Sequence, residues 1–236
     1  MRIGILTFHR ALNFGAVLQC YALQTALEKY NIEVEIIDYQ NEFIQKFYSP
    51  FYIEKYNLKK IAYMIYAFKS KYIRNRTFQT FRENNLHLSP DRYTKHNISD
   101  ANSRYDAIIV GSDQVWNLDQ TAGDINYLLS FAEKGEKYSY AASFGIDSIP
   151  QNVKRIYYEK LQDFKEISVR ESSGVKIIED ILGIEAKQHI DPTLLLEPSD
   201  WEKIANRGMK EYEKYICVYK INMSKCYEYA EELRRR

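Results

Sequence analysis

The sequence contains few cysteines and no long apolar run. Its 236 residues include three cysteines, Cys20, Cys217 and Cys226, and none of them stands in a Cys-x-x-Cys pair. This scarcity argues against a cysteine metal or redox motif and is typical of a reducing compartment. No apolar stretch approaches the roughly 20 residues that a membrane span needs, and the N-terminal run is too short for a signal peptide. The sequence therefore predicts a cytoplasmic protein.

The net charge is also small, but the charged residues are unevenly distributed along the chain. The net charge of +1 gives no reason to expect a nucleic-acid partner, yet eight Lys or Arg residues and no Asp or Glu lie between Lys55 and Arg82. Such a segment presents either a solvated helix face or a surface for peripheral contact with an anionic membrane, and the sequence leaves both open. The aromatic residues interleaved with these cations are Tyr56, Tyr63, Tyr66, Phe68, Tyr72, Phe78 and Phe81.

Short β-rich runs alternate with helical patterns along the chain, which predicts an α/β fold with a Rossmann-like parallel sheet. With 45% hydrophobic residues, the chain can fill a core. The predicted strands cover residues 3–8, 33–38, 106–110, 138–144, 166–170, 189–196 and 215–221. The predicted helices cover residues 14–30, pieces of 58–84, 153–164, 172–182, 200–205 and 223–235.

Two interruptions of this alternation define the predicted domains. Residues 39–104 separate two strands by far more than an ordinary crossover, so we interpret them as a helical insertion rich in basic and aromatic residues. A turn at Glu197-Pro198-Ser199 follows the last strand of the first unit. We therefore predict a Rossmann-like domain over residues 1–197 and the beginning of a second, incomplete Rossmann-like domain over 198–236.

The loop after the first predicted strand is a candidate anion site. It carries His9 and Asn13, and Gly15 opens the following helix, whose exposed N–H groups attract anions such as phosphate. The loop has one glycine rather than the G-x-G-x-x-G pattern of a dinucleotide site. A purely structural role, with Asn13 as the N-cap, explains the same residues.

Polar residues also follow three later strands. Ser112 and Asp113 come directly after a buried strand, which is where α/β sheets bind ligands, although both could simply cap a helix. Ser143 lies in the small-residue segment YAASFG, which permits close approach of a ligand or of another backbone. Arg170 closes an apolar strand beside Glu171, and an arginine fork there is suited to a carboxylate or a phosphate as well as to a surface ion pair.

A fifth stretch, HIDPTLLL at 189–196, is predicted to have a structural role. Pro192 restricts the backbone of Asp191, which can cap or orient a neighbour. His189 is predicted to be a satisfied histidine within a strand.

Taken together, these stretches resemble the polysaccharide pyruvyl transferase family. No single stretch is specific, but five in the right order over about 190 residues are. The blocks that carry the resemblance are Thr7-x-His9-x-x-x-Asn13-Phe14-Gly15-Ala16-Val17-Leu18-Gln19, Val110-Gly111-Ser112-Asp113-Gln114-Val115-Trp116-Asn117, Tyr140-Ala141-Ala142-Ser143-Phe144-Gly145, Ser168-Val169-Arg170-Glu171 and Asp191-Pro192-Thr193-Leu194-Leu195.

The resemblance implies two Rossmann-type domains in a GT-B-like arrangement. It also implies transfer of a pyruvyl group from phosphoenolpyruvate (PEP) to two hydroxyls of a glycan or lipid-linked sugar, with no cofactor and no metal. Asp113 would then act as a base or position the acceptor, and Arg170 would bind PEP, while His9, Asn13, Gly15, Ser112, Ser143 and Glu171 would form the substrate site. The family carries a later block around a His-Gly pair that this sequence lacks, so we expect a truncated chain.

Two other functions remain compatible with these residues. A nucleotide-sugar glycosyltransferase of GT-B-like fold would use the same sheet edge for another donor. A non-catalytic remnant would bind a glycan or a partner protein through its aromatic surface.

Overall fold

A parallel sheet forms the centre of the molecule. The computed structural model describes residues 1–49, 51, 58–133, 136–205, 216, 218 and 226–235. Five strands lie in the order β3-β2-β1-β4-β5, and every neighbouring pair is parallel. They are β1 (Arg2–Leu6), β2 (Glu33–Tyr39), β3 (Leu88–Tyr93), β4 (Ala107–Val110) and β5 (Lys137–Ser139). The α/β, Rossmann-like prediction is confirmed.

Two short strands extend this sheet beyond β5. Strands β6 (Ser168–Val169) and β7 (Lys187–Gln188) pair in parallel with each other, and the bridges Tyr138–Glu166 and Ala142–Val169 join β6 to the segment that begins with β5. The carboxyl ends of the parallel strands consequently face one edge. This geometry brings together loops that are far apart in sequence.

Helices connect and cover the strands. Asn13 caps α1 by accepting a hydrogen bond from the Ala16 N–H at 3.2 Å, and Gly183 ends α6 in the left-handed region at φ 69°. The α-helices are α1 (Phe14–Glu28), α2 (Glu42–Tyr48), α3 (Leu58–Asn85), α4 (Leu118–Thr121), α5 (Gln151–Leu161), α6 (Ser172–Leu182), α7 (Pro198–Glu202) and α8 (Cys226–Arg235). Short 3₁₀ helices cover Ile98–Ser103, Ile125–Leu128 and Pro192–Leu194.

The core of residues 1–201 lies between the sheet and the helices that connect its strands. Ile5 and Leu6 of β1 are fully buried, and each such side chain contributes about 1.5–3 kcal/mol by leaving water. Trp116 is also fully buried, where its indole N–H donates to the Tyr127 carbonyl at 3.2 Å and its ring lies 5.1 Å from that of Phe144. Trp116 therefore fixes the segment after β4 by packing.

The structure corrects several predicted elements. Residues 39–104 contain β3 as well as helices, and β3 forms the edge of the sheet. No strand covers residues 189–196: β7 ends at Gln188, and Pro192, which lacks an N–H for a sheet ladder, begins a 3₁₀ turn instead. The predicted strand over 138–144 shortens to β5 because Ala141 adopts φ 47°.

Two compact units divide the chain, Met1–Trp201 and Glu202–Arg236. In the second unit, α8 is the one helix within the described residues. The predicted strand over 215–221 lies outside the described residues apart from 216 and 218. The predicted boundary near residue 197 and the Rossmann-like character of the second unit stay predictions.

Candidate active site at the carboxyl edge of the sheet

The strand order reverses direction between β1 and β4. Chain crossovers proceed from β1 towards β2 and β3 on one side, and from β4 towards β5 on the other. In open α/β sheets, ligands bind in the crevice outside the carboxyl ends of the strands at such a switch point. The loops that begin at Thr7 and at Gly111 meet there.

A buried glutamine joins these two loops. The Gln19 amide donates to the Thr7 hydroxyl at 2.9 Å and accepts from the Ser112 N–H at 2.9 Å. The Thr7 hydroxyl in turn donates to the Ser112 carbonyl at 3.1 Å. Because each partner is buried and satisfied, these bonds fix the loop after β1 against the loop after β4.

The backbone after β4 is unusual, and it positions Asp113. Gly111 has φ 125°, and a Cβ at this position would lie 2.2 Å from the Tyr140 carbonyl oxygen, so glycine is required. Asp113 has φ 75°, a left-handed conformation that aspartate tolerates better than most residues. One carboxylate oxygen, Oδ1, accepts from the Gln114 N–H at 2.8 Å. The other oxygen of Asp113 can accept a further donor.

Arg170 and Asp191 lie beside Ser112. The Arg170 guanidinium donates from Nε to Glu171 at 2.8 Å and from Nη1 to Asp191 Oδ2 at 3.2 Å. The Ser112 hydroxyl lies 3.5 Å from the same Asp191 oxygen, and it donates to the Ala141 carbonyl at 2.9 Å. The predicted residues Ser112, Arg170 and Glu171 are therefore brought together, and Asp191 connects them.

Burial, with a smaller influence of local charge, changes the acidity of Asp113. Burial raises the pKa of the Asp113 carboxyl; Arg170 opposes this shift, and Asp191 and Glu171 reinforce it. The net result is a carboxylate that binds a proton more readily than an ordinary aspartate. A group with that property is a stronger base at neutral pH.

Three other predicted site residues, Ser143, Asn13 and Gly15, have structural contacts in a loop and at a helix end. Ser143 is fully buried, and its hydroxyl accepts from the Gly145 N–H at 3.1 Å. Asn13 is exposed and caps α1, and a Cβ on Gly15 would lie 3.2 Å from the Asn13 side-chain oxygen. The Asn13 side chain therefore packs tightly against the first turn of α1.

His9 is buried away from the solvent and contacts the end of β2. Its Nε2 lies 2.9 Å from Asp38 Oδ1, and its Nδ1 lies 3.2 Å from the Thr7 carbonyl oxygen. Burial lowers the pKa of His9, and the Asp38 carboxylate opposes that shift. Burial alone would raise the pKa of Asp38, but hydrogen bonds from His9 and Arg10 bring it well below the usual range.

Three residues of this edge were not among the predicted site residues. Gln19 lies within the first quoted block, but a helical glutamine gives no signal that it bridges two loops. Asp191 was interpreted as structural, although its position before a proline already suggested an orienting role. Asp38 follows the two apolar residues Ile36 and Ile37 in β2, and a carboxylate directly after such a buried pair is the signal that could have identified it.

A mainly apolar cavity of about 260 Å³ opens near the same edge. Phe43 and Phe47 of α2 stack at its wall with ring centroids 6.4 Å apart. Tyr48 lies close enough to Asp113 for that carboxylate to contribute, after burial, to the raised pKa of the phenol. The full lining is Phe8, Ala11, Phe43, Ile44, Phe47, Tyr48, Asp119 and Gln120.

Metal and membrane features are absent from the part of the chain that the structure describes. Its residues form no group of three His, Cys, Asp or Glu side chains that could hold a metal ion. None of the helices described there is long and apolar enough to cross a bilayer. In the basic segment, the side chains of Ile65, Tyr66 and Tyr72 are exposed, whereas Phe78 is buried.

Comparison with known proteins adds one match. The family model for polysaccharide pyruvyl transferase matches residues 13–233, which is nearly the whole chain. Neither a curated protein nor a solved structure matches the chain significantly. The matched region includes Asp113, Arg170 and Asp191.

Proposed function

This chain belongs to the polysaccharide pyruvyl transferase family, and we propose that it transfers a pyruvyl group from PEP to a sugar of a surface polysaccharide precursor. The product is a ketal between C2 of the pyruvyl group and two sugar hydroxyls, and phosphate is released. The observation that carries the proposal is the convergence of Asp113, Arg170 and Asp191 at the switch point of the sheet.

The chemistry requires both a base and a proton donor. A general acid adds a proton to C3 of PEP while the first sugar hydroxyl attacks C2 and gives its proton to a base. Phosphate then leaves with its bonding electron pair, and the second hydroxyl attacks C2 and loses its proton. One hydroxyl proton balances the proton gained at C3, and the other leaves with phosphate or solvent.

Arg170 provides the cationic contact for PEP. Its bonds to Glu171 and Asp191 occupy two of the five guanidinium donors, which leaves the planar fork able to bind a carboxylate or a phosphate oxygen. Asp191 is a positioning residue, because it holds Arg170 while Thr193 donates to its other oxygen through N–H at 3.0 Å and through Oγ1 at 2.7 Å.

Asp113 accepts the proton of the attacking hydroxyl. Its raised pKa makes it a better proton acceptor than an ordinary aspartate, and its backbone is left-handed at φ 75°. The fixed loops after β1 and β4 hold the base in place, which lowers the cost of bringing base and hydroxyl together. His9 contributes indirectly through its bonds in the loop after β1.

Phosphate release tests the proposed reaction. The protein is incubated with PEP and candidate glycan or lipid-linked acceptors, and inorganic phosphate is followed with time. We expect release that requires both PEP and an acceptor, and a rise in the melting temperature on addition of PEP alone. Protection by a nucleotide sugar together with no response to PEP would instead indicate a glycosyltransferase.

The proposed location of the enzyme in the cell follows from its acceptor, a lipid-linked sugar. We propose that the enzyme works in the cytoplasm at the inner face of the membrane, where the basic and aromatic surface of α3 contacts anionic lipid. The exposed side chains of Ile65, Tyr66 and Tyr72 among Lys69, Lys71 and Arg76 support this arrangement. Co-sedimentation with vesicles that contain anionic lipid tests it, and binding that is equal with neutral vesicles would contradict it.

A further inference from the structure

The cavity of about 260 Å³ is lined by three segments, each of which leaves the carboxyl end of a strand. Phe8 and Ala11 follow β1, α2 follows β2, and Asp119 and Gln120 of α4 follow β4. Because β2, β1 and β4 are neighbouring parallel strands, these segments begin at the same edge of the sheet. The cavity therefore lies at the edge that also carries the proposed base.

Hydrogen bonds connect two walls of this cavity to the loop after β4. Phe8 directly follows Thr7, whose hydroxyl donates to the Ser112 carbonyl at 3.1 Å. On the other side, Asn117 is the N-cap of α4, and its N–H donates to the Gln114 carbonyl at 3.0 Å. Ser112 and Gln114 flank the proposed base in sequence. Both walls are consequently held next to the residue that is proposed to accept the proton.

Two phenylalanines of α2 form an exposed aromatic wall. Phe43 and Phe47 lie one helical turn apart, with ring planes that differ by 24° and centroids 6.4 Å apart. Phe43 is 44% exposed and Phe47 is 52% exposed, so about half of each side chain is uncovered. Asn41, which caps α2, also donates to the Thr121 carbonyl of α4 at 3.2 Å. The aromatic wall is therefore held in a fixed position relative to α4.

The cavity also contains two polar side chains. Asp119 and Gln120 are exposed, and within the described part of the chain neither side chain has a hydrogen-bond partner, although both backbone N–H groups donate to Asn117. The Asp119 carboxylate can accept from two hydroxyls, and the Gln120 amide can both donate and accept. An apolar wall with a few free polar groups is the usual composition of a small-ligand site.

This composition suits a sugar ring. A pyranose has C–H groups that pack against the electron-rich face of an aromatic ring, and hydroxyls that require hydrogen-bond partners. A lipid chain offers no group to Asp119 or Gln120, and the Asp119 carboxylate repels a phosphate. The volume of about 260 Å³ is slightly below the roughly 300–1,000 Å³ of sites for drug-sized ligands, which favours one ring over an oligosaccharide.

We propose that this cavity binds one pyranose ring of the acceptor. Phe43 and Phe47 pack against its C–H groups, and Asp119 and Gln120 bond to its hydroxyls. The proposal rests on the proposed function where it identifies this sugar as the acceptor, because the cavity lies beside the base. Sugar binding itself requires neither PEP nor turnover, and it involves residues other than Arg170.

Ligand-observed NMR tests the site without PEP. Saturation-transfer-difference spectra of the full chain are recorded with the methyl pyranosides of glucose, galactose, mannose and N-acetylglucosamine, and with uridine and geranyl phosphate. We expect at least one pyranoside to bind, with saturation transferred to its ring C–H protons. No transfer to any pyranoside would overturn the proposal. Transfer to uridine or to geranyl phosphate alone would also overturn it, and would assign the cavity to a nucleobase or to a lipid chain.

Substitutions in the cavity then locate the bound sugar. Phe43→Leu/Phe47→Leu keeps two apolar side chains but removes both aromatic faces, and should weaken pyranoside binding about two- to tenfold. Asp119→Asn keeps a polar side chain but loses the charge, and should weaken binding roughly fivefold. Tyr158→Leu is the control, because it removes an exposed aromatic ring from α5 and should match the wild type. Wild-type affinity in both cavity variants would refute the site.

PEP-dependent measurements separate this site from the proposed reaction. If the protein releases phosphate from PEP, Phe43→Leu/Phe47→Leu should raise the KM for the acceptor and leave the KM for PEP unchanged. If no phosphate is released, pyranoside binding that the cavity variants weaken still supports a sugar site, while the proposed function fails. Equal weakening of PEP and pyranoside binding in the cavity variants would contradict a separate sugar site.

Discussion

Replacing Asp113 by Asn separates its catalytic role from its effect on stability. The substitution removes the ionisable group, and asparagine also tolerates φ 75°. Loss of a positioned general base lowers kcat about 10²- to 10⁴-fold, which corresponds to roughly 2.7–5.4 kcal/mol in the activation barrier. The KM for PEP should change little, because Arg170 makes the contact assigned to PEP.

The same substitution should stabilise the fold at neutral pH. Since the pKa of Asp113 is raised in the folded state, the folded protein binds more protons than the unfolded chain between the two pKa values. Stability therefore falls as pH rises through that window, and the full penalty is present above the folded-state pKa. Asp113→Asn should melt at a higher temperature than the wild type at pH 7, and this difference should shrink as the pH falls towards the ordinary aspartate pKa.

The assay combines steady-state phosphate release with thermal melting at several pH values. Asp180→Asn is the matched control, because it removes a carboxylate that forms a surface pair with Lys154 at 2.8 Å. The control should keep wild-type kcat. An Asp113→Asn variant with kcat within threefold of the wild type, or one less stable at pH 7, would refute the reasoning.

Two further predictions concern the supporting structure. Asp38→Asn should lower the free energy of unfolding by roughly 3–5 kcal/mol in urea at neutral pH, because it leaves Arg10 without its buried partner. Since hydrogen bonds depress the pKa of Asp38, its contribution to stability is present above the ordinary aspartate pKa and is lost as pH falls through the folded-state pKa. Equal stability of variant and wild type at pH 7 would contradict this prediction. Gly111→Ala should reduce both the melting temperature and phosphate release, since a Cβ would lie 2.2 Å from the Tyr140 carbonyl oxygen. The control is Gly183→Ala, where φ is 69° and no atom lies within 4 Å of the added Cβ, and it should lower the free energy of unfolding by only about 1–2 kcal/mol. A similar loss of stability in both variants would argue against the clash.

The α/β pattern predicted most of the sheet because its strands are short and apolar. Strand β3 was missed for the opposite reason. Its sequence, LSPDRY, contains a proline and two charged residues, which only an edge strand tolerates. The same exposure allows Arg92 to reach Asp38 from the edge.

The sequence also predicted which residues would gather after β4 and β6, since parallel strands bring their carboxyl ends together. It could not predict the link through Asp191, which depends on where the chain runs after β7 rather than on any local pattern. The contacts of His9 and Arg10 with Asp38 could not be predicted from the sequence either, because they join side chains 29 and 28 residues apart. Burial and charge at such points are known only once the chain has folded.

The most direct test of the account follows the carbon that forms the ketal. The protein is incubated with PEP labelled with ¹³C at C2 and with a lipid-linked or polysaccharide acceptor, and the purified glycan is examined by NMR. We predict a labelled quaternary ketal carbon bonded to a methyl group in the wild-type product, and none with Arg170→Gln. A labelled ketal of equal intensity with Arg170→Gln, or label found only as free pyruvate with every acceptor, would contradict the central claim.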